Sequence, residues 1–534
     1  MKKYLFVLLF LMSCVRVVPF SGGTFYVAPG GSGTACTSAA PCAFSRISTP
    51  GVAQAGDIWF LKDGTYGTGL QLNCSTGGVN SGISGQPITI MAENERRAFI
   101  DTGGFYAFQI NACSYWVIQG LHMRQGNNAG VQQDFIWLTN GAHHITLRRN
   151  LIREINKTAG PPSGLSAVLM YSGTPSHDLT MEENEIYDCW ANCINMHDNA
   201  SNNIFRRNYF NNLNKWDTGL RGTSAIAGYP SSNNILENNI CEGNSQNTTG
   251  DGSYCWDIEP LGDTTNNRFY GNIALNSAGS VVALRDSSTF ATNHLVKDDV
   301  LITSINTAAT IHAWFFGNAP NLSLSNMTVI NGGASQQSGI LISGSTAVNS
   351  FTLTNSRVQG FNNVGNGAVG VYVTGGQSSC SIDSVSSSGN VTPFSTANCS
   401  TNNLKTATPI NLHNCYLWIP SDSDLYQAGA TGSGDSKNLG ATILYAYENG
   451  ALTTKKLWNP DGSPTFAGAT VPGVNDGAAN LKNIQNRLNI NTNGCSFPSG
   501  YGSNVTVTIT TPTTNPTFST NSSSVTIGGT SSLP

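Results

Sequence analysis

Charged side chains are scarce in this 534-residue chain: Asp, Glu, Lys and Arg together make up 10% of it, against about a quarter in an average globular protein. A coiled coil or a long solvent-laced helix needs far more charge, which excludes both. A basic field is also missing, since 26 basic side chains face 30 acidic ones, and general nucleic-acid binding is excluded with it. Past the N-terminus, no stretch is apolar enough to span a bilayer. Disorder does not follow from the low charge. The chain is 39% hydrophobic and holds 22 Phe, 17 Tyr and 9 Trp, ample material for a core. In place of charge stand 58 Gly and 59 Asn, with abundant Ser and Thr, a composition of turns and strands. The length allows one long domain or two to four ordinary ones.

Met1-Lys2-Lys3 followed by an apolar run over Tyr4–Met12 reads as a secretory signal occupying residues 1–22. Arg16 ends the run well short of a membrane span. Leu11-Met12-Ser13-Cys14 has the form of a lipobox, with Cys14 as the lipidated residue. Membrane attachment is expected only through that modification, and cleavage near Ser21–Gly23 is the alternative. Setting Cys14 aside leaves 12 of the 13 Cys, an even number that implies disulfides in a secreted chain. Cys36 with Cys42 and Cys189 with Cys193 are close enough to be local pairs. Spacing leaves the remaining connectivity open, and no His/Cys spacing resembles a zinc site.

Internal repetition decides the fold class. The motif recurs as Ile145-Thr-Leu147-Arg-Arg-Asn150, Leu179-Thr-Met181-Glu-Glu-Asn184, Asn203-Ile-Phe205-Arg-Arg-Asn208, Asn234-Ile-Leu236-Glu-Asn-Asn239 and Asn267-Arg-Phe269-Tyr-Gly-Asn272. Degenerate copies extend it to Trp116 on one side and to Val300, Asn326 and Asn355 on the other. Each unit is a short alternating strand, an Asn-centred turn and another short strand, with no helical period. A unit this small cannot bury its own face, so the units must stack. Asn tolerates the left-handed turn conformation, and its amide can bond the same residue on the next rung. The expected fold is all-β: a right-handed parallel β-helix over residues 23–415, its clearest rungs between about 100 and 390 at about 4.8 Å spacing. Residues 416–503 are expected to form a small C-terminal extension packing on the helix, with one short amphipathic helix near Leu481–Leu488. Residues 504–534 alternate as two strands around a Pro-rich turn. They read as a linker or flexible Ser/Thr tail, or as the start of a truncated Ig-like surface repeat, too short for a sandwich.

At these residues the chain resembles the secreted parallel β-helix proteins of the pectate-lyase-like superfamily. The N-terminal stretch carries the likeness most specifically: Thr24-Phe-Tyr-Val-Ala-Pro-Gly-Gly, Gly56-Asp-Ile-Trp-Phe-Leu-Lys-Asp-Gly-Thr-Tyr66, Gly85-Gln-Pro-Ile-Thr-Ile-Met91 and Phe99-Ile-Asp101. It looks like the cap and first rungs of polysaccharide lyases related to alginate lyase and chondroitinase B. The likeness in fold covers roughly residues 24–400. Gly440–Tyr447 through Trp458 resembles a tail found on some members of the group.

Strand alternation turns Trp256 and Ile258 inward and Asp257 and Glu259 outward, with Arg285 outward one rung later. The resemblance then implies that Asp257 and Glu259 hold calcium or the sugar and that Arg285 serves catalysis. The lysine of that pattern is missing, since Thr264 and Thr265 occupy its place. β-Elimination needs a base for the proton α to a uronate carboxylate and a cation for the enolate. His197, Tyr254, Lys215 and Arg221 are the substitute candidates for this chemistry. His197 with Asp198, in Ile194-Asn-Met-His-Asp, can form an oriented imidazole. Lys215-Trp216-Asp217 and Arg221 fall in a long insert that would wall a groove. Trp190, Trp216 and Trp256 are the aromatic candidates for a sugar platform, with Asp198 and Asp217 as the polar sugar contacts. His144 and His294, and likewise His143 and His177, read as recurring turn or ladder residues.

The resulting expectation is a monomeric, secreted or surface-attached protein that cleaves an acidic polysaccharide by β-elimination, with calcium as the implied cofactor. A glycoside hydrolase in the same groove, or a non-catalytic glycan-binding adhesin, are the alternatives. Charge locates the groove: residues 143–300 hold 28 of the 56 charged side chains, while residues 301–420 hold three, Arg357, Asp383 and Lys405.

Overall fold

The computed structural model describes residues 22–126, 133–155, 165–190, 192–213, 223–243, 253–258, 264–277, 279–282, 291–303, 312–332, 338–343, 349–363, 368–374, 377–396, 399–460, 462–466, 495–499, 501, 507–511 and 528–531. They form an all-β parallel solenoid, a parallel β-helix. Three ladders of parallel strands run along it. A first ladder opens with Thr24–Val27 on Ile58–Leu61 and continues through Thr180–Glu182, Ile204–Arg206 and Ile235–Glu237. A second includes Leu151–Arg153, Glu185–Tyr187, Tyr209–Asn211 and Ile240–Glu242. The third is a twelve-stranded sheet from Leu70–Asn73 to Thr392–Ser395. The first two ladders meet in long shared strands such as Gln377–Ser388. The coil therefore starts well before residue 100.

Alternation fills the interior. Leu147, Met181, Phe205, Leu236, Phe269 and Val296 are paired rung on rung and are all 0% exposed. Burying a large apolar side chain contributes roughly 1.5–3 kcal/mol. Stacking identical positions lets every rung share that gain with its neighbours.

The asparagine ladder is present, with its two jobs divided between neighbouring residues. Asn150, Asn184, Asn208, Asn239 and Asn272 are fully buried. Each side-chain amide donates to the next rung's Oδ1 at 3.0–3.2 Å, and Asn272 donates to Asp299. The left-handed residue stands one place earlier: Arg149, Glu183, Arg207, Asn238 and Asp298 have φ between 51° and 58°. The expected single Asn position thus splits into a strained turn residue and a buried amide. The ladder also corrects the register at its far end, where Asp299 rather than Val300 takes the Asn272 position and Val300 pairs with Ile273. Burial pushes the Asp299 carboxyl well above the usual range.

A second buried ladder joins Asn203, Asn234 and Asn267 at 2.9–3.0 Å. It ends on His294, whose Nδ1 accepts the Asn267 backbone N–H at 3.1 Å. His294 is therefore a ladder residue, whereas His144, at φ 52°, sits in the left-handed turn column one position earlier. His143 and His177 do share a position, and their rings stack at 5.0 Å. Because Nδ1 accepts, the His294 proton sits on Nε2. Burial lowers its pKa to about 3.

Between pH 6.5 and about 3 the unfolded chain binds a proton at this residue that the folded chain does not. Stability from His294 is complete above pH 6.5 and is lost as pH falls. His294→Asn is expected to keep neutral-pH stability within about 1 kcal/mol, since an amide Oδ1 can replace Nδ1. The variant should retain more stability than wild type at pH 4, by an order of 3 kcal/mol. Melting temperatures at both pH values test this; an unchanged pH 4 difference between the two proteins counts against it.

The C-terminal extension lies on the second ladder. Cys415, Trp418, Ile443, Leu444, Leu457 and Trp458 pack with outward residues of the coil, among them Leu151, Tyr187, Tyr209, Ile240, Ile273 and Val300. Polar clips add to this: the Asn449 and Gly450 N–H groups each donate to Glu237 at 3.0 Å, and Arg207 pairs with Glu448 at 3.0 Å. Gly450, at φ 80°, makes the turn possible where a side chain would meet Tyr270. The twelve cysteines form six disulfides: 36–42, 74–113, 189–193, 241–255, 380–399 and 415–495. Both expected local pairs are among them. No helix among the described residues is long and apolar enough to cross a membrane. Val507–Thr511 and Gly528–Ser531 pair antiparallel. Cys14 with the rest of residues 1–21, and the helix expected near Leu481–Leu488, lie outside the described residues.

Candidate functional site on the twelve-stranded sheet

The strand Ile194–Ser201 places His197. Ile194 and Met196 turn into the core at 0% exposure, so the imidazole between Met196 and Asp198 turns out. Met170 pairs with Met196, which sets Tyr171 level with His197 on the preceding rung. On the following rung His197 pairs directly with Tyr229. The three rings form a row across successive rungs, each neighbour 5.3 Å from the His197 ring centroid. Gly228 lets the Tyr229 strand seat closely, because a Cβ there would come within 3.0 Å of Ile258. Tyr171 is 48% exposed and offers an open ring face. Trp137 stands near it, donating its indole N–H to the Tyr171 carbonyl at 3.0 Å.

Immediately after His197 the strand bulges. Asp198 and Asn199 both take left-handed conformations, at φ 54° and 65°, and the register with the next strand shifts between His197 and Ala200. Bulges of this kind bend a strand and re-aim its side chains, and they cluster beside functional sites. Burial lowers the His197 pKa, more than the Asp198 charge raises it. The ring is therefore neutral at neutral pH and able to accept a proton. The Asp198 carboxylate accepts the Ser172 N–H at 3.1 Å. The expected direct Asp198 clamp on the imidazole is replaced by flanking tyrosines.

Asp257 faces outward opposite Ala227, as alternation required, yet is only 5% exposed. Its Oδ2 accepts hydroxyl hydrogens from Ser224 at 2.9 Å and Tyr229 at 3.3 Å. Tyr229 therefore ties the acid to the aromatic row. The next rung sets Val281 opposite Asp257. Arg285, Arg221, Lys215, Trp216, Asp217 and Glu259 lie outside the described residues. Trp256, expected as a sugar contact, is buried instead. It is 1% exposed and packs edge-on against Phe210 in the core, where no sugar face can reach it. Trp190, at 3% exposed, is likewise interior.

Calcium needs six to eight oxygen ligands. Among the described residues no group of three or more His, Cys, Asp or Glu side chains gathers in a metal-binding arrangement, and Asp257 is engaged by two hydroxyls. No chemical step is therefore routed through calcium.

Trp137, Tyr171 and Tyr229 are the site residues that sequence reading missed. A signal existed: Val168-Leu-Met-Tyr171 repeats the spacing of Ile194-Asn-Met-His197, one rung earlier. Neither strand carries the asparagine motif, which marks the turns of the other two ladders.

No protein-family model matches the chain, and no curated protein matches its sequence. Among solved structures it is similar to pectate lyase Pel9A, at 15% identity over 79% of this chain and 96% of that one, with a TM-score of 0.44. A mannuronic acid specific polysaccharide family 6 lyase from human gut microbiota is 13% identical over 72% and 83%, at 0.37. The GH136 lacto-N-biosidase from Eubacterium ramulus is 12% identical over 72% and 68%, at 0.44.

Proposed function

We propose that the chain is a carbohydrate-active protein that binds a polysaccharide along the outer face of the twelve-stranded sheet and cleaves an acidic one by β-elimination. The supporting observation is the His197 imidazole, set between two tyrosines on successive rungs, with burial lowering its pKa. In this reading Tyr171 and Trp137 carry pyranose faces, which stack on aromatic surface. The unprotonated His197 nitrogen takes the C5 proton, α to the uronate carboxylate. The electron pair forms the C4–C5 double bond as the C4–O bond breaks. Tyr229 donates its hydroxyl proton to the leaving oxygen, and the next proton returns from His197 through water. In the resting site that hydroxyl donates to Asp257, and it turns from the carboxylate to the leaving oxygen as the C4–O bond breaks. The cation that stabilises the enolate is proposed to come from Arg285, Arg221 or Lys215. Six disulfides suit an oxidising compartment, in keeping with a secreted or surface-attached protein.

The test is incubation with alginate, pectate and glycosaminoglycans, with and without added calcium, read by absorbance of unsaturated ends. Unsaturated products from one polymer are expected. New reducing ends without unsaturation would point instead to hydrolysis. Binding with no new ends from any polymer would leave only a glycan-binding role and end the lyase reading.

A further inference from the structure

We propose that the C-terminal extension carries a second sugar site, a cavity of about 450 Å³ that takes an uncharged sugar unit. The cavity lies between the segment from His413 to Leu444 and the segment Ser496–Ser499. The Cys415–Cys495 disulfide ties those segments together across 80 residues. Under the cavity the Trp418 and Phe497 rings stack at 5.0 Å, and Phe497 stacks in turn on Tyr501 at 4.7 Å. A cross-linked aromatic floor of this kind is formed before any ligand arrives, which lowers the ordering cost of binding.

The lining selects the ligand. Tyr426 and Phe497 are half-buried and present ring surface. Around them stand His413, Asp422 and Asp435. His413 Nε2 and Asp422 Oδ2 are 3.0 Å apart, and that bond holds the Asp422 carboxyl below its ordinary range. The buried Asn438 amide donates to Asp435 at 3.4 Å, while its own oxygen accepts the Gln427 N–H at 2.9 Å. Ionised carboxylates accept sugar hydroxyl hydrogens strongly, and aromatic surface takes the C–H face of a pyranose. Two carboxylates at one rim also repel a uronate. The site therefore suits a neutral sugar rather than the acidic polymer proposed for the His197 face. The extension covers the second ladder, a different sheet from the one bearing His197, so the two sites are independent.

Calorimetric titration of the whole chain with lactose, cellobiose and chitobiose, and with trigalacturonate as the anionic probe, tests the proposal. At least one neutral disaccharide is expected to bind saturably. Asp422→Asn and Tyr426→Ala should each weaken it at least about tenfold, with trigalacturonate binding and acidic-polymer cleavage unchanged. Asp422 is exposed, so its variant keeps the fold if Tyr426→Ala does not. Saturable binding by none of the three neutral sugars, neutral binding that survives Asp422→Asn, or trigalacturonate binding lost in that variant would each overturn the proposal. A failure of cleavage alone would touch the elimination reading and leave this one standing.

Discussion

Asn208→Ala is expected to lower the unfolding free energy by about 3–5 kcal/mol. The amide is fully buried and makes four bonds. Its Nδ2 donates to the Met181 carbonyl at 2.9 Å and to Asn239 Oδ1 at 3.0 Å. Its Oδ1 accepts the Asn184 backbone N–H at 3.1 Å and the Asn184 side-chain amide at 3.0 Å. Removing it takes these bonds from the Met181 carbonyl and the Asn184 backbone N–H, while the Asn184 amide keeps its bond to the Leu147 carbonyl at 2.8 Å; each buried group left unpaired costs about 1–3 kcal/mol. Asn266 provides the contrast. It is a half-buried turn residue at φ 56° whose amide reaches Asn233 at 3.1 Å through an exposed bond. Asn266→Gly relieves a left-handed conformation while losing one exposed bond, and is expected to stay within about 0.5 kcal/mol of wild type. Denaturant midpoints for the two variants measure the difference. Equal, small losses would mean that the ladder amides add nothing beyond the turn they follow.

His197→Gln is expected to reduce cleavage of the responsive polymer by about 10²- to 10⁴-fold while leaving the melting temperature close to wild type. Gln fills similar space on the outer face but cannot take the proton. Tyr229→Phe removes the hydroxyl that reaches Asp257 and should cost less. A pH profile separates a base from a spacer. The lowered pKa of His197 means that the unprotonated form persists below pH 6.5. The acid limb of kcat/KM should therefore fall below pH 6.5, with the rate flat above it up to the next titration. A variant that keeps wild-type rates, or an acid limb that persists in His197→Gln, would remove His197 from the reaction.

Much of this architecture was legible beforehand because it rests on period and parity. A strand's side chains alternate whatever its neighbours do, so Ile194 and Met196 inward and His197 outward could be read from five residues. The repeating asparagine identified the stack, since only a position facing its own copy rewards the same amide in rung after rung. What misled was local. The left-handed residue and the buried amide are adjacent, and where both are Asn, as at Asn238 and Asn239, the sequence cannot divide their roles. At the ladder's end Asp299 replaces the amide and Val300 keeps the hydrophobic pattern, which drew the register one place too far.

The charge deficit shows the same boundary from the other side. Sequence by itself determined that this chain is a stacked solenoid, with an apolar interior and turns of Asn and Gly, because those demands repeat at every rung and leave few places for charge. It also set Asp257 on the outer face. Alternation had already turned Trp256 inward, against its candidacy as a sugar contact; only the tertiary structure decided that its ring packs edge-on against Phe210, and that Tyr171 and Tyr229 flank His197, since they come from three different rungs. The extension's cavity belongs to the same class. Its walls are joined by a disulfide spanning 80 residues, and no local pattern along the chain announces a pairing made at that distance.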